Sequence, residues 1–143
     1  MSAEIEIKGH GGGIRIIVLG YENPAATDTS DANWLVCRVR AELGPFRGEV
    51  SATFTTQDFA RFRQELRALL GQEQVSAVFD TDEQVLELRT EVKPTGAAPI
   101  SGTIRYSSGP NVVVSFTLDS DQSYLRSVLE ALDTVTSQFP IRS

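Results

Sequence analysis

The sequence is poor in the side chains that carry covalent and metal chemistry. Its 143 residues include one cysteine, Cys37, one histidine, His10, and one tryptophan, Trp34. A lone cysteine excludes an intrachain disulfide, and one Cys with one His cannot complete the usual tetrahedral zinc sets. His10-Gly11-Gly12-Gly13 looks like a hydrolase oxyanion loop, but no Gly-x-Ser-x-Gly elbow or second histidine accompanies it. That run reads as a hairpin turn. No phosphate loop or dinucleotide fingerprint is present. Asp80-Thr81-Asp82-Glu83 gathers three carboxylates, yet lacks the sixth-position glycine of an EF-hand loop. The expectation is no catalytic residue, no metal and no cofactor.

Long apolar runs are missing as well. Nothing approaches the ~18 apolar residues of a membrane helix. Met1-Ser2-Ala3-Glu4-Ile5-Glu6 has neither the basic nor the apolar region of a secretory signal. With the single cysteine, this predicts a cytoplasmic protein with no membrane partner. Positive charge is also short: 13 Lys and Arg stand against 19 Asp and Glu, a net charge of −6. The deficit is local. Residues 1–71 hold 8 basic and 9 acidic side chains, and residues 72–143 hold 5 and 10. A binder of phosphate backbones needs the opposite sign, so nucleic acid is not an expected partner. A basic protein is, since complementary fields speed association.

What is present is periodicity. Glu4 to Lys8 alternates apolar and polar, as a half-buried strand does. Ile14–Tyr21, Trp34–Leu43 and Arg47–Phe54 read as three more strands. Leu35, Cys37, Val39, Ala41 and Leu43 form the inward set of the third, which makes Cys37 a buried, inert thiol. Thr55 or Thr56 should cap a helix to about Leu70, with Phe59, Phe62, Leu66 and Leu69 as its apolar stripe. Its arginines, Arg61, Arg63 and Arg67, lie off that stripe, and Asp58 and Glu65 offer solvated ion pairs. Gly71 is placed to end it.

The order then starts again. Val75–Asp80, Val85–Val92, Ile100–Ser107 and Val112–Leu118 read as strands. Asp119 or Asp121 should cap a last helix to about Gln138, burying Tyr124, Leu125, Val128, Leu129, Leu132 and Val135. Phe54-Thr55 and Phe116-Thr117 mark the two joints alike, with Phe62 and Tyr124 each 8 residues on. Short connections make neighbouring strands antiparallel. The expected fold is α+β. It has two layers, a twisted antiparallel sheet of about eight strands backed by two helices, with a possible four-strands-plus-helix repeat. It is expected to be one domain over residues 1–143.

Gly20-Tyr21-Glu22-Asn23-Pro24, followed by Asp31-Ala32-Asn33-Trp34-Leu35, resembles the opening of the WapI-type immunity protein family. These are small bacterial proteins that neutralise a contact-delivered toxin. Phe54-Thr55-Thr56-Gln57-Asp58-Phe59 resembles the family's first-helix entry, Val78 to Glu87 the strand pair after it, and Gln138-Phe139-Pro140-Ile141-Arg142 its Phe-Pro-x-Arg end. The chain departs from the pattern in its Ala/Gly-rich turn at Gly96–Pro99. The resemblance implies a non-enzymatic inhibitor that binds a toxin domain. The alternative is a small enzyme or ligand-binding domain. The acidic excess makes the toxin basic and points to Asp80, Asp82 and Glu83 in one turn, with Asp28 and Asp31 in the polar loop, as partner-binding residues. The wet sheet face around Arg38, Arg40 and Arg105 is the other surface. Trp34 is open between two readings: an outward hot spot beside Val36, or a core residue turned in by a bulge.

Overall fold

The computed structural model describes residues 2–142. Strands β1 (Ala3–Gly9), β2 (Gly12–Tyr21), β3 (Trp34–Leu43) and β4 (Phe46–Thr55) form one antiparallel sheet in chain order. Strands β5 (Ser76–Phe79), β6 (Leu86–Glu91), β7 (Ile100–Tyr106) and β8 (Val112–Leu118) form a second. A four-residue turn of helix, α1 (Thr29–Ala32), lies in the long loop. Helices α2 (Thr56–Leu70) and α3 (Gln122–Gln138) follow the two sheets. The α+β class, the antiparallel strands and the two long helices are as expected; the strands divide four and four.

Local chemistry sets the elements. Leu35, Cys37, Val39 and Ala41 of β3 are buried while Val36, Arg38 and Arg40 face water, the period of two that a one-sided sheet needs. Thr55 closes a capping box on α2: its hydroxyl accepts from the Asp58 N–H at 3.1 Å, and the Asp58 carboxylate accepts from the Thr55 N–H at 2.8 Å. Phe59, Phe62, Leu66 and Leu69 form the buried stripe. The stop differs in detail from expectation. Gly71 has φ −83°, and the left-handed residue is Gln72, with φ 63°.

The helices are exchanged between the halves. Helix α2, which follows the first sheet, packs on β5 of the second; α3, which follows the second, packs on β1 of the first. Phe79 of β5 therefore meets Phe54 of β4 at 5.2 Å and Phe62 of α2 at 5.4 Å between ring centroids, with Phe59 stacked at 5.8 Å. Arg63 and Arg67 of α2 both reach Asp133 of α3, where solvated pairs within one helix were expected. Only Arg61 pairs locally, with Asp58 at 2.8 Å. At the other end the His10 N–H donates to the Asp119 carbonyl at 2.7 Å, and the Ser120 hydroxyl donates to the Lys8 carbonyl at 2.8 Å. Gly9 permits that approach, because a Cβ there would sit 2.6 Å from the Asp119 oxygen.

Asp121 is the cap of α3, accepting from the Tyr124 N–H at 3.1 Å. Leu125, Val128, Leu132 and Val135 are buried and Leu129 is half-buried, as expected, but Tyr124 is 41% exposed. The Asp121 cap also moves the internal correspondence. Matching cap to cap pairs Thr55 with Asp121, and then Phe59 with Leu125, Phe62 with Val128, Leu66 with Leu132 and Leu69 with Val135, all buried at one constant spacing. Thr117 stays within β8, so Phe116-Thr117 is not the second joint. The Gly96–Pro99 turn docks beside this cap. Ala98 is fully buried and its N–H donates to the Ser120 carbonyl at 2.9 Å, which requires a small side chain there.

Candidate functional site

Asp80, Asp82 and Glu83 share the turn between β5 and β6, and all three are exposed. The Gln84 N–H donates to the Thr81 carbonyl at 3.1 Å, and Gln84 takes φ 56° to close the turn. Arg61 of α2 reaches over it but spends its bonds elsewhere: one on the Asp58 carboxylate, one on the Asp80 carbonyl oxygen at 3.2 Å. The three carboxylates thus have no cation partner among the described residues.

The turn opens onto the outer face of the second sheet. Ladder pairing sets Glu87 of β6 across from Thr103 of β7, and Thr103 across from Ser115 of β8. Arg89, Ser101 and Thr117 form the next row. These short hydroxyl side chains leave a shallow depression of about 640 Å³ with Asp80 and Glu87 on its border. Glu87 is half-buried and also lacks a cation among the described residues. The Thr103 hydroxyl across from it is buried with no hydrogen-bond partner. Arg89 is turned to Glu91 at 3.2 Å. Alternation along Leu86, Glu87 and Leu88 marks Glu87 as outward in the sequence. Its closeness to the acidic turn needed the sheet register.

The outer face of the first sheet is internally neutralised. Lys8 pairs with Glu6, Arg15 with Glu4 and Glu6, and both Arg38 and Arg40 with Glu49. Arg105 belongs to the second sheet, so the wet face expected around Arg38, Arg40 and Arg105 is two separate surfaces.

Asp28 and Asp31 lie in the long loop. The Asp28 carbonyl accepts from the N–H groups of Asp31 and Ala32 at 3.1 and 2.7 Å, and both residues are exposed. The loop is anchored from the far end of the chain. Arg142 donates to the carbonyls of Asn23 at 3.1 Å, Pro24 at 2.9 Å and Ala32. Asn33 exchanges two bonds with the Arg142 backbone, at 2.7 and 2.9 Å. The Asn33 carbonyl accepts from the Thr56 N–H at 3.0 Å, which ties the loop to the start of α2. Both acidic segments are therefore tethered to the first two turns of α2. Trp34 is half-buried and keeps strict alternation beside Val36; the register shift lies in β2, between Val18 and Gly20.

Cys37 is fully buried, and burial pushes its thiol up to about 12. It has no thiolate character with which to act as a nucleophile. Among the described residues no group of three or more His, Cys, Asp or Glu side chains is arranged to hold a metal, and no helix is long and apolar enough to cross a membrane.

Two solved structures share the fold. One is that of the Trypanosoma bruciei MRP1/MRP2 proteins, 12% identical with a TM-score of 0.50, covering 98% of this chain and 85% of that one. The other is that of the plant transcriptional regulator PBF-2, 11% identical with a TM-score of 0.53, covering 97% and 82%. At these identities the likeness concerns architecture alone. No curated protein matches the sequence. The family comparison reaches further, because it spans residues 5–140 and so takes in the Tyr21 loop, both helices and both sheets: the chain belongs to the immunity protein WapI-like family.

Proposed function

We propose that this protein is an immunity-type inhibitor that neutralises a cognate toxin domain by binding it, without catalysis of its own. Family membership supports the class of activity. The observation that carries the surface is the uncompensated group of Asp80, Asp82, Glu83 and Glu87 beside the depression on the second sheet. The partner this face suits is a basic protein surface carrying Lys or Arg, for which the carboxylates supply charge-assisted bonds and the Ser and Thr hydroxyls supply neutral ones. Asp28 and Asp31, tethered to the same helix, extend the negative field. Such a face repels phosphate backbones, which supports a protein partner over nucleic acid. The binding is proposed to take place in the cytoplasm.

The test is protection. Where a toxin domain is encoded beside this chain's gene, cells expressing that domain should survive when the chain is co-expressed and die when it is not. Purified chain should form a stoichiometric complex with that domain and leave the toxin chemically unchanged. Protection without complex formation, or a toxin chemically altered by the chain, would point to the enzyme reading instead.

A further inference from the structure

The outer face of the second sheet is built in rows. Ladder register sets Val78, Arg89, Ser101 and Thr117 in one row, and Glu87, Thr103 and Ser115 in the next. Arg105 and Val113 make a third. Arg89 and Arg105 thus stand one row to either side of Glu87, and neither pairs with it. Arg89 turns away to Glu91, and Arg105 forms no ion pair among the described residues. Half-buried Glu87 is left with a place for a cation that the chain does not fill.

Thr103 is short of a partner too. It points outward, because Ile100 and Ile104 of the same strand are buried. Its hydroxyl oxygen is buried and bonds nothing. Leaving a buried hydroxyl unpaired is costly. One rotamer step would carry it into the depression that Glu87, Thr103 and Ser115 line. The floor behind is firm. The Phe116 ring fills the inner side of Gly102, where a Cβ would stand 2.5 Å from it. A carboxylate and a hydroxyl, each lacking a donor, therefore sit side by side on adjacent strands, about 5 Å apart at their Cβ atoms.

Resting on the reading of this protein as a toxin inhibitor, we infer that Glu87 and Thr103 receive one arginine side chain of the toxin, while Asp80, Asp82 and Glu83 steer it there. A guanidinium is planar and forks its N–H groups. It can lie on the sheet face, donate a pair of bonds to the Glu87 carboxylate and one to the Thr103 oxygen. A lysine ammonium is a compact point charge and does not span both acceptors in a plane. An anion is not the occupant, since Glu87 and Asp80 border the depression and Arg89 is spent on Glu91. The exposed turn carboxylates act at a distance and set how fast the toxin arrives. Glu87, less screened by water, sets how long it stays.

Two blocked peptides, acetyl-Gly-Arg-Gly-amide and acetyl-Gly-Lys-Gly-amide, test the site by NMR titration of the full chain. The arginine peptide should give saturable shifts at the Glu87, Thr103 and Ser115 amides, with a Kd on the order of 10 mM. The lysine peptide should bind at least about threefold more weakly. Glu87→Gln should abolish the shifts. Thr103→Val should bring the two peptides to equal affinity without lowering the thermal midpoint, because the hydroxyl bonds nothing in the free chain. With the toxin domain, Glu87→Gln should raise the dissociation rate at least about tenfold and change the on-rate less than about twofold. Absence of saturable shifts in the wild type overturns the proposal. So does equal affinity of the wild type for the two peptides, arginine binding that survives Glu87→Gln, or a toxin complex whose dissociation rate ignores that variant. The peptide titration needs no toxin, so it is decided separately from the protection assay. A toxin complex that forms but dissociates no faster with Glu87→Gln removes the arginine anchor and leaves the inhibitor reading standing.

Discussion

Arg142 lies over the ring of Tyr21, its guanidinium carbon 3.8 Å from the ring centroid, although the two residues are 121 positions apart. The same guanidinium caps the carbonyls of Asn23, Pro24 and Ala32, and the Tyr21 hydroxyl donates to the Pro140 carbonyl at 2.6 Å. Burial raises the Tyr21 phenol above its ordinary range, and the Arg142 charge draws it partly back. The opening loop and the Phe-Pro-x-Arg end, two of the motifs that carry the family resemblance, are thus halves of one clasp. They hold the long loop closed and say little about the partner.

This clasp has a measurable worth. Arg142→Ala removes a planar cation from an aromatic face and leaves several carbonyls to water. Urea denaturation should show a loss of about 2 kcal/mol, in the range of bonds to charged groups. Arg142→Lys should recover less than half of that, because a point charge cannot fork between carbonyls and stack at once. A lysine variant as stable as wild type would mean that charge alone holds the loop.

The aromatic cluster should dominate the helix energetics. Phe62→Ala empties a site against Phe79 and should cost about 3–5 kcal/mol. Arg63→Ala loses a pair with Asp133 that is a third exposed on one side and nearly half on the other, so it should cost under about 1 kcal/mol. Equal denaturation midpoints for the two variants would contradict this assignment of the helix face.

Much of this was legible in the sequence. Strands β3 and β8 run over the expected residues, and Thr55 caps α2, because alternation and capping are local signals. Asp121, one of the two expected caps, starts α3, but Tyr124 lies at the edge of the apolar stripe and faces water, where the sequence pattern set it in the buried face. The exchange of helices between halves, the Arg63–Asp133 pair and the clasp are contacts between distant segments that no periodicity encodes. For the candidate site, the acidic turn was visible as composition, while Glu87 joined it only through the β6–β7 register.

Cys37 gives the fold a pH signature. Its thiol is raised from 9.0 to about 12, mainly by burial, with the Phe54 backbone drawing it down and Asp58 pushing it up. A raised folded value means that the native state keeps a proton which the unfolded chain releases. Stability is therefore unaffected by this group below pH 9 and falls between about 9 and about 12, by up to about 1.4 kcal/mol per pH unit. Cys37→Ala should remove that slope when unfolding is followed across the window. A thiol reagent should leave the native protein untouched and label it on unfolding.

The exchanged helices make each half dependent on the other. Residues 1–71 alone would expose the β1 edge that α3 covers and the α2 face that meets Phe79. We expect that fragment to show no cooperative thermal transition, and the intact chain to show one. A sharp transition in the fragment would refute the single cooperative unit.

The central claim is that the acidic border of the second sheet meets a basic toxin surface. Association kinetics at two ionic strengths test it, with the toxin domain encoded next to this chain's gene. Asp80, Asp82 and Glu83, all exposed, reversed to lysine should leave the melting transition in place, since exposed changes cost little; Glu87→Gln, at a half-buried position, is a milder variant that removes the charge and keeps the shape. The triple variant should associate more slowly at low salt, and its on-rate should lose most of its salt dependence. On-rates equal to wild type at both ionic strengths would contradict the account and take this face out of the interface.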